Sequence, residues 1–92
     1  MKLREYVEMM RRDFLPQLAP GAQSAINSEL DCEDDIAMAF DDMLQFSLVS
    51  GVPYPPYLLD EAEAIINRGG HDPVLVDRSL GWIRQHRQKQ AT

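Results

Sequence analysis

Prolines and glycines cut this chain at Pro16, at Pro20-Gly21, from Gly51 to Pro56 and from Gly69 to Pro73, and each stretch between cuts repeats its apolar residues with helical spacing. Leu3, Tyr6, Val7, Met10 and Phe14 follow the i, i+3, i+4, i+7 pattern of a helix face, which Pro16 must end near Leu15. Ala22 to Leu30 reads as a short helix that buries Ile26 and Leu30. A third helix is expected to begin at Asp31 as its N-cap, with Glu33, Asp34 and Asp35 in a first turn whose positive dipole end favours carboxylates. Its apolar face is Ile36, Phe40, Met43, Leu44 and Leu48, and Gly51 supplies the left-handed residue that closes it.

The segment Val52-Pro53-Tyr54-Pro55-Pro56-Tyr57 cannot continue a helix. Its prolines remove backbone donors and hold the residues before them extended. It reads as a stiff connector that starts a fourth helix at Pro56, with Leu58, Ala62, Ile65 and Ile66 inward and a stop at Gly69-Gly70. Asp72-Pro73 is a cap and first-turn proline for a last helix, with Val76, Leu80 and Ile83 as its buried stripe and Arg84, His86, Arg87 and Lys89 in its last turns. No stretch alternates apolar and polar residues as a strand does, and no internal repeat is present. The expected fold is all-α: a compact single-domain bundle of four or five short helices over residues 1–92.

A chain of 92 residues with 45% hydrophobic content can bury roughly 60–65% of the surface its unfolded form exposes, enough for one core and not two. No apolar run approaches the roughly 18–20 residues of a membrane-spanning helix, and the first residues lead into a mixed-charge helix rather than a signal peptide. The single cysteine, Cys32, excludes an intrachain disulfide and a multi-cysteine zinc site, and reads as structural. These features point to a soluble, cytoplasmic protein.

The net charge is -6, but its order along the chain says more. Residues 13–67 hold eleven acids and no Lys or Arg, whereas the segments before and after carry a combined charge of +5. Asp34 and Asp41, or Asp35 and Asp42, are seven residues apart and so fall on one side of the third helix. Such a carboxylate strip can steer and pair with the Lys and Arg of a basic protein. Tyr54 and Tyr57 in the connector are further interface candidates, since tyrosine is often a hot spot and Pro53 to Pro56 has PxxP spacing; a rigid turn whose tyrosines pack back on the core is the plainer reading. The expected partner-binding set is Asp34, Asp35, Asp41, Asp42, Tyr54 and Tyr57.

Catalytic patterns are sparse. Neither His71 nor His86 has the partners of a zinc site, so both read as turn or surface residues. The acidic run lacks the glycine of a calcium loop, and the glycines lack the neighbours of a phosphate loop. The negative net charge argues against nucleic-acid binding. Glu5 with Glu8, and Asp31 with Asp34, repeat an i, i+3 spacing of carboxylates on two helices. In this they loosely resemble the all-α nucleotide pyrophosphohydrolases, a resemblance that implies a Mg²⁺-dependent enzyme acting on nucleoside triphosphates through those four residues; Asp31 stands where that family has Glu.

The preferred reading needs no cofactor or metal. It is a non-enzymatic protein-binding module, in concrete form an acidic immunity or antitoxin protein that masks a basic nuclease toxin; a regulatory adaptor subunit fits the same features. Whether the basic ends pair internally or bind a partner, and the oligomeric state, are left open by the sequence.

Overall fold

The structure, a computed structural model, describes residues 1–91, Glu33 by its backbone alone. Five helices are present among these residues, and no strand: α1 (Leu3–Asp13), α2 (Pro20–Leu30), α3 (Ile36–Ser50), α4 (Pro56–Asn67) and α5 (Pro73–Ala91). The all-α bundle expected from periodicity is the fold observed.

Helix α1 stops at Asp13, two residues before the expected end, because Leu15–Gln17 tightens into a 3₁₀ turn that accommodates Pro16 in its first positions. Helix α2 begins earlier than expected. Pro20 occupies its first turn, where a missing N–H is no loss and the fixed φ suits a helix, so Gly21 lies inside the helix rather than before it.

The expected cap at Asp31 is corrected. Asp31 has helical dihedrals (φ -74°, ψ -10°), and its N–H donates to the Asn27 carbonyl at 3.2 Å, so it closes α2. Glu33–Asp35 forms a separate 3₁₀ turn before α3, and Asp35, at the cap position, makes no side-chain capping bond. Asp34 and Asp35 therefore sit on the corner between two helices, not in the first turn of one.

The other boundaries follow the local chemistry. Gly51 is left-handed at φ 71°; its N–H donates to Leu48 O, and the Val52 N–H to Ser47 O at 2.9 Å, the paired bonds of a Schellman C-cap. Pro56 opens α4, with the Leu58 and Leu59 N–H groups donating to the Pro55 carbonyl. Gly69 and Gly70, both at positive φ, end it. Asp72 caps α5 by accepting from the Val74 N–H at 2.8 Å.

Helix α3 is the hub: α1, α2 and α5 pack on it, and α4 packs on α5. One continuous core runs from Tyr6, Val7 and Met10 through Ile26, Phe40, Met43 and Leu44 to Leu59, Ile65 and Ile83. The face that α5 buries differs from the expected apolar stripe. Val76 and Leu80 are only partly covered, and the fully buried residues are Ser79, Ile83 and His86. Two of those three are polar, which makes the α3–α5 contact a seam of hydrogen bonds.

Candidate functional site

Asp41 lies on that seam with its side chain wholly enclosed. The Ser79 hydroxyl donates to its Oδ1 at 2.9 Å, and the Arg78 guanidinium sits 3.0 Å from Oδ2. Burial pushes the Asp41 carboxyl up, while Ser79 and Arg78 pull it back down and the charge of Asp42 pushes it up again. Its expected place on a partner-facing strip is thus corrected: Asp41 ties α3 to α5. A signal for this was present, since Asp41 precedes Leu44 by three residues and Leu48 by seven, in phase with the buried stripe.

Nearly two turns further along α3, Ser47 and His86 meet, both buried. His86 Nε2 lies 2.9 Å from the Leu44 carbonyl oxygen and 3.0 Å from Ser47 Oγ. A carbonyl only accepts, so Nε2 carries the ring hydrogen and donates. It has no lone pair with which to take a proton from Ser47, whose hydroxyl itself donates to Leu44 O at 3.0 Å. The pair is a structural lock and not a nucleophile with its base. Burial holds the His86 imidazole below the usual histidine range, the Leu44 bond opposes that shift and Lys89 reinforces it. The surface role expected for His86 is corrected accordingly; Ile83, three residues before it, marks the buried phase.

The connector tyrosines separate. Tyr54 is 1% exposed, and its hydroxyl donates at 2.6 Å to the Tyr6 hydroxyl, which donates at 2.9 Å to the Leu58 carbonyl. Burial raises both phenols well above their ordinary value. Tyr54 therefore pins the connector to α1 and α4 and is not available to a partner. Tyr57 is 72% exposed. Cys32, expected to be structural, is also exposed and free.

The basic ends and the acidic middle pair with each other in several places. Arg87 grips α4 through Asp60, at 2.8 Å, and Glu63. Glu61 receives the N-terminal ammonium at 3.3 Å and Arg68 at 3.8 Å. With Asp41 taken by Arg78, the acids of α4 and the buried acid of α3 all have internal cations.

Four carboxylates at the corner between α2 and α3 do not. Asp31, Asp34 and Asp35 are exposed and Asp42 half-buried, and among the described residues no Lys or Arg pairs with any of them. Glu29, on the last turn of α2, reports the resulting field. Its carboxyl is pushed up to about 8, first by burial, then by a hydrogen bond to Asp42 and the charges of Asp42, Asp35 and Asp41. Two carboxyls in hydrogen-bond contact must share a proton when no cation separates them. Of the six expected partner-facing residues, the structure puts Asp35 and Asp42 within reach of Glu29, leaves Asp34 exposed on the same turn as Asp35 and Tyr57 exposed elsewhere, and buries Asp41 and Tyr54. Glu29 belongs to the corner and was missed, because its partner Asp42 is thirteen residues away.

The four carboxylates of the nucleotide-hydrolase spacing do not converge. Glu5, Glu8, Asp31 and Asp34 are exposed, and among the described residues no three His, Cys, Asp or Glu side chains are placed to hold a metal ion. No helix of the described residues is long and apolar enough to cross a membrane. No protein-family model, no curated protein and no solved structure matches this chain.

Proposed function

We propose that this chain is a non-enzymatic protein-binding module whose α2–α3 corner docks on a basic surface of a partner protein. The observation that carries the reading is the division of its charges: the acids of α4 and the buried Asp41 are neutralised internally, while among the described residues no Lys or Arg is paired with Asp31, Asp34, Asp35 or Asp42. Uncompensated carboxylates on one corner repel one another and cost stability, a cost that a basic partner removes on binding. In its concrete form the module is an immunity or antitoxin protein of the cytoplasm that covers the nucleic-acid-binding face of a nuclease toxin. A nuclease surface built to bind phosphates carries Lys and Arg that would complement those four carboxylates.

The test is capture of the partner from native extract by the wild-type chain and by an Asp34→Lys, Asp35→Lys double variant. Both positions are exposed and make no contact that the fold needs, so the variant is expected to fold. Wild type is expected to retain a basic protein that elutes at high salt, and the variant to bind it at least tenfold more weakly. Equal retention by both would reject the corner as the docking site, and a captured partner without nuclease activity would reject the toxin-masking form.

A further inference from the structure

Beyond Ile83, α5 has almost nothing apolar with which to hold the bundle. Residues 84–91 are Arg-Gln-His-Arg-Gln-Lys-Gln-Ala, and of these only His86 is buried. The contacts that fasten this stretch are polar. His86 Nε2 donates to the Leu44 carbonyl, Arg87 grips Asp60 and Glu63 of α4, the Gln90 side-chain amide donates to the Tyr54 carbonyl, and Lys89 Nζ lies 3.5 Å from the Leu48 carbonyl oxygen. A cleft of about 220 Å³, bordered by Leu48, Pro53, Lys89 and Gln90 among others, remains between the stretch and the residues it covers. Apolar burial and close packing, which hold the earlier turns of α5 through Ile83, therefore contribute little here.

His86 makes this fastening depend on pH. Its Nε2 hydrogen is committed to Leu44, so a further proton, taken from solvent, goes to Nδ1 and turns the ring into a cation. The groups around the docked ring do not compensate that charge. From α3 come the Ser47 hydroxyl and the Leu44 carbonyl, from the connector the Tyr54 phenol, which burial keeps neutral, and from α5 itself the like charge of Lys89. The acids of α4 that face this stretch, Asp60 and Glu63, are engaged by Arg87, and among the described residues no carboxylate pairs with His86. Burial holds the docked imidazole below the usual histidine range, whereas an undocked ring is solvated and takes the proton more readily. Falling pH thus favours the undocked stretch over the docked one.

We infer that residues 84–91 form an acid-released clasp: protonation of His86 frees this stretch of α5 from α3 and the connector while the turns through Ile83 stay packed, and its release uncovers Tyr54 and Leu48. The docked clasp keeps those two side chains covered at 1% and 9% exposure, beside Val49, which is already exposed on the same turn of α3. The device involves none of the carboxylates at the α2–α3 corner.

Amide hydrogen exchange of the whole chain, followed by NMR at pH 7 and pH 5 and corrected for the intrinsic pH dependence of exchange, tests the clasp. At pH 5 the amides of residues 87–91 are expected to lose about threefold or more of their protection, in step with the titration of the His86 ring resonances, while the Met43 and Leu44 amides of α3 keep theirs. His86→Gln offers an N–H to the Leu44 carbonyl and has nothing to titrate, so it is expected to abolish this response. Arg87→Gln removes the ion pairs with α4 and is expected to lower protection at both pH values with the response retained. A loss shared equally by all the helices, constant protection of residues 87–91 while the His86 ring titrates, or a wild-type response in His86→Gln would overturn the clasp. Disappearance of the response in Arg87→Gln would overturn it too, by assigning the pH dependence to the ion pairs. If His86→Gln does not fold, the match in wild type between ring titration and exchange decides.

Discussion

Glu29 shows how much one side chain can impose on the pH response of a small bundle. Its folded carboxyl, pushed up to about 8 from an ordinary 4.5, keeps a proton that the unfolded chain has released. Between those values the native state binds more protons than the unfolded state, so this residue makes stability fall as pH rises from 4.5, and the loss is complete above about 8. Glu29→Gln removes the titration. In urea denaturation at pH 4.5, 6.5 and 8.5 the variant should gain on wild type as pH rises, reaching about 1–2 kcal/mol, well short of the full shift because solvent screens this partly exposed group. A difference that stays constant with pH would show that folding does not shift the Glu29 carboxyl. His86 works in the other direction: its folded pKa is lowered, so its contribution is present above about 6.5 and is lost as pH falls through the folded value. Asp41→Ala strands the buried Ser79 hydroxyl and leaves a void, a loss of about 2–4 kcal/mol in the same unfolding measurement.

At the scale of elements, the sequence was most legible where a backbone rule acts alone. Gly51, Pro56 and Asp72-Pro73 mark boundaries through dihedral angles and missing donors, and the structure has them in those roles. Gly51→Ala should therefore cost about 1 kcal/mol in thermal or chemical unfolding. An added Cβ would meet nothing within 4 Å, so the loss comes from the left-handed backbone alone, and an unchanged stability would mean that the turn can relax. Legibility ended where two rules competed. Asp31 satisfies the preference for a cap before α3 and equally continues α2, and only the path of the chain into the Glu33–Asp35 turn decides between them. On α5 the apolar pattern of Val76, Leu80 and Ile83 was readable, but the deeper Ser79 and His86 were not, because a polar residue reads as exposed until its partner on another helix is known.

For the whole molecule, the order of charges along the chain becomes a distribution in space. Pairing of Arg78 and Arg87 with the acidic middle depends on α5 folding back onto α3 and α4, which no local window reveals; among the described residues, the acids of that middle without an ion pair gather at one corner rather than along the strip that seven-residue spacing suggested. Association through that corner should slow steeply as salt is raised from low ionic strength, since steering is screened beyond roughly 8–10 Å near physiological salt. Stopped-flow association rates with the captured partner measure this, and a rate independent of salt would separate the corner from the encounter.

The α3–α5 seam also governs the order in which the chain can be finished during synthesis. Ribosomes deliver the N-terminal helices first, at about 5–20 residues per second. Helix α3 then emerges with Asp41 on the face it must bury, while the Ser79 hydroxyl and Arg78 guanidinium that compensate that charge are still to be made. Until α5 has left the exit tunnel, closing the core over Asp41 means enclosing an unpaired carboxylate. The hub helix therefore waits for α5, and the core cannot close over Asp41 before that helix is available.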